Sequence, residues 1–511
     1  MSNIVPFEAI KNRLSRYCTY EGLLLIAEEA SKINRNQLDG RLSVENNRLH
    51  PWVLASIARW IIMYGSDLNT ERMIPRDLED ITQLYYSLDD PFLDEKEEFL
   101  SRKRSFFVRT AFEQFPYQGL NYRYEIPRTL MLFFNIHLKD NKDYMDLNAE
   151  FKKISGLDVP NYLILAFAFF SISMRGPIRL PIHVKGRPLS RFMTEGAVRT
   201  FLQYISTTVT AFREVQKNIP NENGYEKFQF NVLRKFPIIS TIIPNLLVAP
   251  IPSLIMQKAV DGIYWDLFDR FNVKGEENKF ARYFGHVFQE YVGEQLMQIV
   301  GSANVFRETN YKKGKHKLAT CDWIVRDEKS LILVECKTSG LAQTATTTAQ
   351  TEALQDDMKK RVVKGVAACH RTFLDFATLP LELDINDFES IHYLIITYRE
   401  VFTFNSPEMR QLIDAEIMEK LGKLPKFHVA SISEIEVFAE PAWRMGMANI
   451  LEFRESHGDE YHHQFGLSIN ALWNKVTDDP VPGGNALLDH IFDRFFREAE
   501  AVGNTSEIVC S

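Results

Sequence analysis

Residues 317–340 read KLATCDWIVRDEKSLILVECKTSG. A strand candidate, Leu318–Arg326, runs through a polar turn into the very apolar strand candidate Leu331–Lys337. Whether the loop holds two residues, Glu328 and Lys329, or four, Asp327–Ser330, an antiparallel hairpin sets Asp322 opposite Glu335. Directly opposed residues have Cβ atoms roughly 4.5–5.5 Å apart, and like charges at that spacing destabilise a bare sheet. A divalent cation between them reverses the sign. Strand alternation places Lys337 on the face of Glu335 and turns Cys336 away. Two carboxylates and an ammonium therefore converge where an apolar, doubly covered strand ends, and oxygen donors with room for water suit Mg²⁺ or Mn²⁺. An exposed ion pair at a strand end would spell the same letters, so the surrounding sequence has to decide.

Before the hairpin, residues 285–300, GHVFQEYVGEQLMQIV, carry an apolar helical face, and Asn304–Asn310 is a further strand candidate. After it, Thr351–Phe373 shows an apolar stripe at Leu354, Met358, Val362, Val366 and Phe373. Strands are expected again at Ser390–Tyr398 and Phe427–Phe438. Strands separated by helices imply a central mixed sheet flanked by helices.

Asp322 followed by Glu335-Cys336-Lys337 at the end of an apolar strand resembles the PD-(D/E)xK nuclease superfamily, the restriction-endonuclease-like fold. The resemblance spans residues 280–398, with Cys321 standing where many members have proline. It implies a metal held by Asp322, Glu335 and the backbone carbonyl of Cys336, with Lys337 orienting or deprotonating the attacking water. It also implies a glutamate from the preceding helix, here Glu290, as an outer or second-metal ligand, with Glu294 its rival. The helix after the motif falls where the family has a basic or amide-bearing helix, so Gln355, Lys359 and His370, along one stripe, are candidate phosphate contacts.

The chain has 511 residues and a net charge of −7, which argues against indiscriminate attraction to nucleic acid and requires basic residues to be gathered locally. They are: Arg307, Lys312, Lys313, Lys315, His316 and Lys317 lie before the motif, and Lys359, Lys360, Arg361 and Lys364 after it. The expected function is a Mg²⁺- or Mn²⁺-dependent nuclease, foremost a DNA endonuclease, in a setting of defence against foreign DNA that the resemblance suggests. A non-catalytic nucleic-acid-binding module and a helical interaction scaffold are the competing classes, and the presence of Asp322, Glu335 and Lys337 together favours the enzyme.

This length predicts more than one domain. Residues 1–278 read as a mostly helical recognition or regulatory region, 279–450 as the α/β nuclease-like domain, and 451–511 as a helical extension. The helical half is where an activating partner or a second copy of the chain would bind. Five scattered cysteines without a CxxC pair suggest neither a disulfide framework nor a zinc site, and point to a reducing cytoplasm. The opening MSNIVPFEAIKNRLSRY lacks the apolar stretch of a secretory signal. Of two apolar stretches, Tyr162–Met174 is shorter than the about 20 residues a span needs. Phe236–Met256 is broken by Pro237, Pro244, Pro250 and Pro252, so buried turns and short strands are expected there and no membrane segment. His286 and the pair His462 and His463 lack companions at ligand spacing.

Overall fold

The computed structural model describes residues 5–38, 49–88, 110–111, 113–114, 117, 121–182, 192–220, 224, 226–338, 359–400, 405–457 and 465–500. The chain is a mixed α/β protein in which helices flank mixed sheets.

The first part is helical, with Phe7–Leu14, Thr19–Leu38, Pro51–Tyr64 and Pro75–Tyr86 burying Ile10, Leu23, Ile57, Ile61 and Ile81 together. A small sheet follows, made of β1 (Ile178–Arg179), β2 (Ser206–Thr208), β3 (Ile238–Ser240) and β4 (Leu246–Val248) in the order β1-β4-β3-β2. The proline-interrupted stretch thus folds with two short strands, as its sequence suggests, and then enters the helix Ser253–Val260, which was not expected. No single helix among the described residues is long and apolar enough to cross a membrane; Leu147–Ser155 and Val159–Ser173 pass such a test only as a pair bent by 51°. Val159–Ser173 is buried on most of its sides, against Phe201, Met256 and other core residues.

The main sheet is built from β5 (Val305–Arg307), β8 (Trp323–Asp327), β9 (Ser330–Lys337), β10 (Ser390–Thr397) and β11 (Phe427–Ser431), in the order β11-β10-β9-β8-β5. β9, β10 and β11 are parallel and the β5, β8 and β9 pairings are antiparallel. A separate hairpin of β6 (Asn310–Lys313) and β7 (His316–Ala319) projects between β5 and β8. The single strand expected over Leu318–Arg326 is therefore two, separated at Thr320–Asp322, where Thr309 and Thr320 close the hairpin base by reciprocal hydrogen bonds. The strand expected over Phe427–Phe438 stops at Ser431. Its side chain and that of Glu434 form a capping box that starts the helix Ile432–Val437, a Ser-x-x-Glu signal that β-branched neighbours masked.

One face of the sheet, bearing Trp323, Val325, Ile332, Val334, Leu394 and Ile396, packs on the helix Lys279–Val300. That helix begins six residues before the expected Gly285 because the Asn278 side chain caps it, accepting from the Ala281 amide at 3.0 Å. Gly293 permits the close approach: a Cβ there would meet the Trp323 ring at 2.1 Å, and Trp323 Nε1 donates to the Gln289 carbonyl at 2.9 Å. The other face, with Ile324, Leu331, Leu333, Tyr393 and Ile395, packs on Val366 and Cys369 of the helix Lys364–Leu374 and on Ile413 of Pro407–Leu421.

The first of these cores runs without interruption from Tyr124 and Phe133 through Phe284 to Leu488 and Phe495. Residues on either side of 278, and those beyond 451, share it, so the expected boundaries at 278 and 451 are breaks in the texture of the sequence and not in the packing. A distinct core joins the first four helices to Phe212, Leu233 and Val248.

Candidate functional site

β8 and β9 are joined by the two-residue turn Glu328–Lys329, with Asp327 opposite Ser330 and Glu328 in the left-handed region at φ 51°. Trp323 faces Val334, so the next step of the register sets Asp322 across from Glu335. Both lie on the face of Ile324 and Leu333, and Lys337 falls two residues beyond Glu335 on that same face. Short polar contacts hold the three residues. The Cys336 amide donates to Asp322 Oδ2 at 2.6 Å, and Lys337 Nζ lies 2.7 Å from Glu335 Oε1. The carbonyl of Lys337 accepts from the Tyr398 amide on the β10 side, so the amide and carbonyl of Cys336 point the opposite way, toward Asp322. The thiol of Cys336 packs on the other face, where burial pushes its pKa far up and makes it a poor nucleophile.

A third carboxylate joins the row. Arg307 is the partner of Trp323 on β5, and the Glu308 amide donates to the Asp322 carbonyl at 2.9 Å. Glu308, Asp322 and Glu335 therefore stand in line across three strands on one face, and Glu308 acts electrostatically on both of the others. In the sequence Glu308 is simply the acidic neighbour of Arg307 ahead of the basic stretch Lys312–Lys317. The β5–β8 register, which no local pattern encodes, is what brings it here.

Electrostatics follow from this row. Burial, and then the facing Glu335, push Asp322 up to about 7, although the Cys336 amide and Lys337 pull it down. Glu335 is raised by burial, tempered by Lys337. Burial would lower Lys337, but Glu335 and Asp322 outweigh it and the ammonium is held charged. With one lysine against three carboxylates, the group carries surplus negative charge in a partly buried place. All the side-chain donors are oxygens. A hard divalent cation fits that deficit and that donor set.

Glu290 belongs to the other side of the sheet. Its helix covers the Trp323 face, and both carboxylate oxygens are taken by Arg307, whose guanidinium also lies 5.0 Å from the centre of the Trp323 ring. The outer-ligand role expected for Glu290 is thus not one its position favours, and Glu308 is the further carboxylate that stands beside Asp322 and Glu335. Its rival Glu294 lies on the same helix and acts on the same Arg307.

On the carboxylate face the helix Lys364–Leu374 crosses β9. Gly365 fits against the site, since a Cβ there would come within 3.0 Å of Ile395 Cδ1 and 3.5 Å of Glu335 Cγ. Further along, Cys369 Sγ meets the Leu333 carbonyl, and His370 is buried with Nδ1 2.9 Å from the Tyr393 hydroxyl. Leu333 and Tyr393 face each other two strand positions behind Glu335, so His370 is a core residue set back from the carboxylates and not a phosphate contact. Gln355 lies outside the described residues, as do His462 and His463. Lys359 opens the π-helical turn Lys359–Val363 that leads into this helix.

The basic hairpin divides similarly. Lys313 shares the face of the buried Tyr311, and both reach Asp375, so its charge is already partnered. Lys312 and Lys317 are exposed and directly opposed across β6 and β7, with Lys315 in the turn beside Gly314 at φ 59°. Two like charges held face to face on an exposed ribbon are mildly destabilising by themselves.

No protein-family model matches the chain, and a search of curated proteins found no match.

Proposed function

We propose that the chain is a restriction-endonuclease-like, metal-dependent nuclease that hydrolyses phosphodiester bonds at the carboxyl ends of β9 and β10, with DNA the foremost substrate. The observation carrying this reading is the cross-strand row Glu308, Asp322 and Glu335 with Lys337 beside it: carboxylates in surplus, on one face, where parallel strands end. In open sheets with parallel strands that is where ligands bind.

Asp322 and Glu335 would hold Mg²⁺ or Mn²⁺, with the Cys336 carbonyl directed to the same side and Glu308 available as an outer ligand. When bound, the ion supplies an acidified water and stabilises charge on the phosphoryl oxygens. Lys337, already hydrogen-bonded to Glu335, is placed to orient the attacking water by donating to it and to receive its proton only if the ion lowers the ammonium's affinity for its own. Lys312, Lys315 and Lys317 would meet phosphates along the backbone, positioning the strand without reading its sequence. The helical first part remains the natural place for an activating partner or a second copy, and defence against foreign DNA is the setting the resemblance suggests.

The test is incubation of the full chain with supercoiled plasmid, linear DNA, single-stranded DNA and RNA, each with Mg²⁺, Mn²⁺ or EDTA. Ion-dependent cleavage that disappears in Asp322→Ala is the expected result. Absence of cleavage on every substrate with both ions, alongside retained binding, would hand the site to the non-catalytic alternative.

A further inference from the structure

The opposite end of the same parallel strands holds a second group of side chains. His392 lies near the start of β10, His428 near the start of β11, and the helix Met447–Ser456 lays Glu455 across both. Leu394 is the register partner of His428, so the two imidazoles are diagonal neighbours on the face of Leu394 and Ala430, with ring centres 6.1 Å apart. His392 Nδ1 is 2.9 Å and His428 Nε2 3.1 Å from the same oxygen, Glu455 Oε1. Lys426 Nζ reaches the other oxygen at 2.7 Å. Both histidines are buried. His392 is wholly enclosed, and its Nε2 has no hydrogen-bond partner; Glu452 Oε1 stands 3.7 Å from it.

We propose that His392, His428 and Glu455 form a binding site for a borderline divalent transition-metal ion of the Zn²⁺ class, independent of the oxygen site at the other end of β9. Candidate ligand atoms of all three residues lie within 4.8 Å of one another. Tetrahedral bonds of about 2.0–2.1 Å put neighbouring ligand atoms roughly 3.3–3.4 Å apart, so an ion would draw the two imidazoles a few tenths of an ångström back from Glu455 and bring their nitrogens, within 4.8 Å of each other, closer together. Two nitrogens and one carboxylate suit zinc and its neighbours, whereas Mg²⁺ and Ca²⁺ take oxygens.

The enclosed Nε2 of His392 supplies the independent observation. With its Nδ1 proton given to Glu455, a neutral His392 turns a lone pair toward the Glu452 carboxylate, a mismatch. With an ion on Nδ1 the proton moves to Nε2 and points at Glu452, the carboxylate–histidine–metal arrangement that orients metal-bound imidazoles. Lys426, on the outer oxygen, would hold the Glu455 carboxylate in place. A water would complete a tetrahedral set of ligands. Such an ion would pin the helix Met447–Ser456 to β10 and β11, and its binding would add to the stability of the folded chain.

The experiment is metal analysis of the full chain after stripping with chelator and equilibration with Zn²⁺, together with Co²⁺ absorption of the wild type. The expected result is one Zn²⁺ per chain, retained in the Asp322→Asn, Glu335→Gln double variant and lost in His428→Gln whose circular dichroism matches wild type. Co²⁺ should give the intense visible bands of a tetrahedral nitrogen and oxygen site. Zn²⁺ should raise the Tm of the wild type. Absence of Zn²⁺ from the wild type, a weak octahedral Co²⁺ spectrum, or Zn²⁺ lost with Asp322 and Glu335 instead of His428 would each overturn the proposal. The wild-type spectrum decides even where the variant fails to fold, and none of these readouts depends on nuclease activity.

Discussion

The two ends of β9 and its parallel neighbours treat a carboxylate in opposite ways. At the carboxyl end, Asp322 faces Glu335 and Glu308 with the Cys336 amide and Lys337 to offset them, and burial with that crowding pushes it up to about 7. At the amino end, burial would raise Glu455, but hydrogen bonds from His392, His428 and Lys426 hold it well below the usual carboxylate range. The same sheet therefore carries one group short of positive charge and one that supplies its own. A buried acid met by enough donors is ionised at little cost, whereas one set against other acids is costly to ionise without a cation.

The most severe way to break this contrast is to remove the carboxylates proposed to hold the cation. Asp322→Ala and Glu335→Ala should each reduce ion-dependent cleavage to background in a plasmid nicking assay while nucleic-acid binding, followed by filter retention, persists. Lys337→Ala comes next. It leaves the oxygen donors in place and takes away the group that positions or deprotonates water, so cleavage should fall by roughly 10²–10⁴-fold. Glu308→Gln should weaken activation by Mg²⁺, visible as a higher ion concentration at half-maximal rate, whereas Glu290→Gln on the opposite face should leave that concentration unchanged. Equal effects of the two would mean that the faces are not distinct.

A smaller effect concerns the basic ribbon. Neutralising Lys312, Lys315 and Lys317 should lower the slope of log affinity against log salt by about 0.9 for each lost contact on duplex DNA. Lys313, engaged with Asp375, should contribute less.

The smallest effect is on stability. Because the folded pKa of Asp322 lies above its ordinary value near 3.8, the unfolded chain releases this proton first as pH rises. The contribution of the protonated acid is thus fully present below about pH 4 and is lost as pH climbs through about 7. Asp322→Asn should then stabilise the metal-free protein at pH 8 by about 1 kcal/mol, read as a Tm rise of about 1 °C for a chain of 511 residues, with the gain shrinking as the pH is lowered. Affinity of the wild type for the cation should rise over the same interval.

The sequence alone determined the hairpin and its register. Alternation and a short polar turn are local rules, and they were enough to set Asp322 against Glu335 with Lys337 alongside. The helical character of the first half, the mixed sheet and the short strands within Phe236–Met256 were likewise legible from periodicity and proline placement. Which helix covers which face was not. Glu290 and His370 occupied the right positions along the chain, but a helix places its side chains by the face it buries. Gly293 against Trp323 and Gly365 against Ile395 fixed those faces through contacts between residues far apart in sequence. The arrival of Glu308 beside Asp322, and the meeting of His392, His428 and Glu455 from two strands and a later helix, depend on strand order and crossovers. Tertiary packing alone decides those, because nothing in the spacing of such residues records how the chain returns to the sheet.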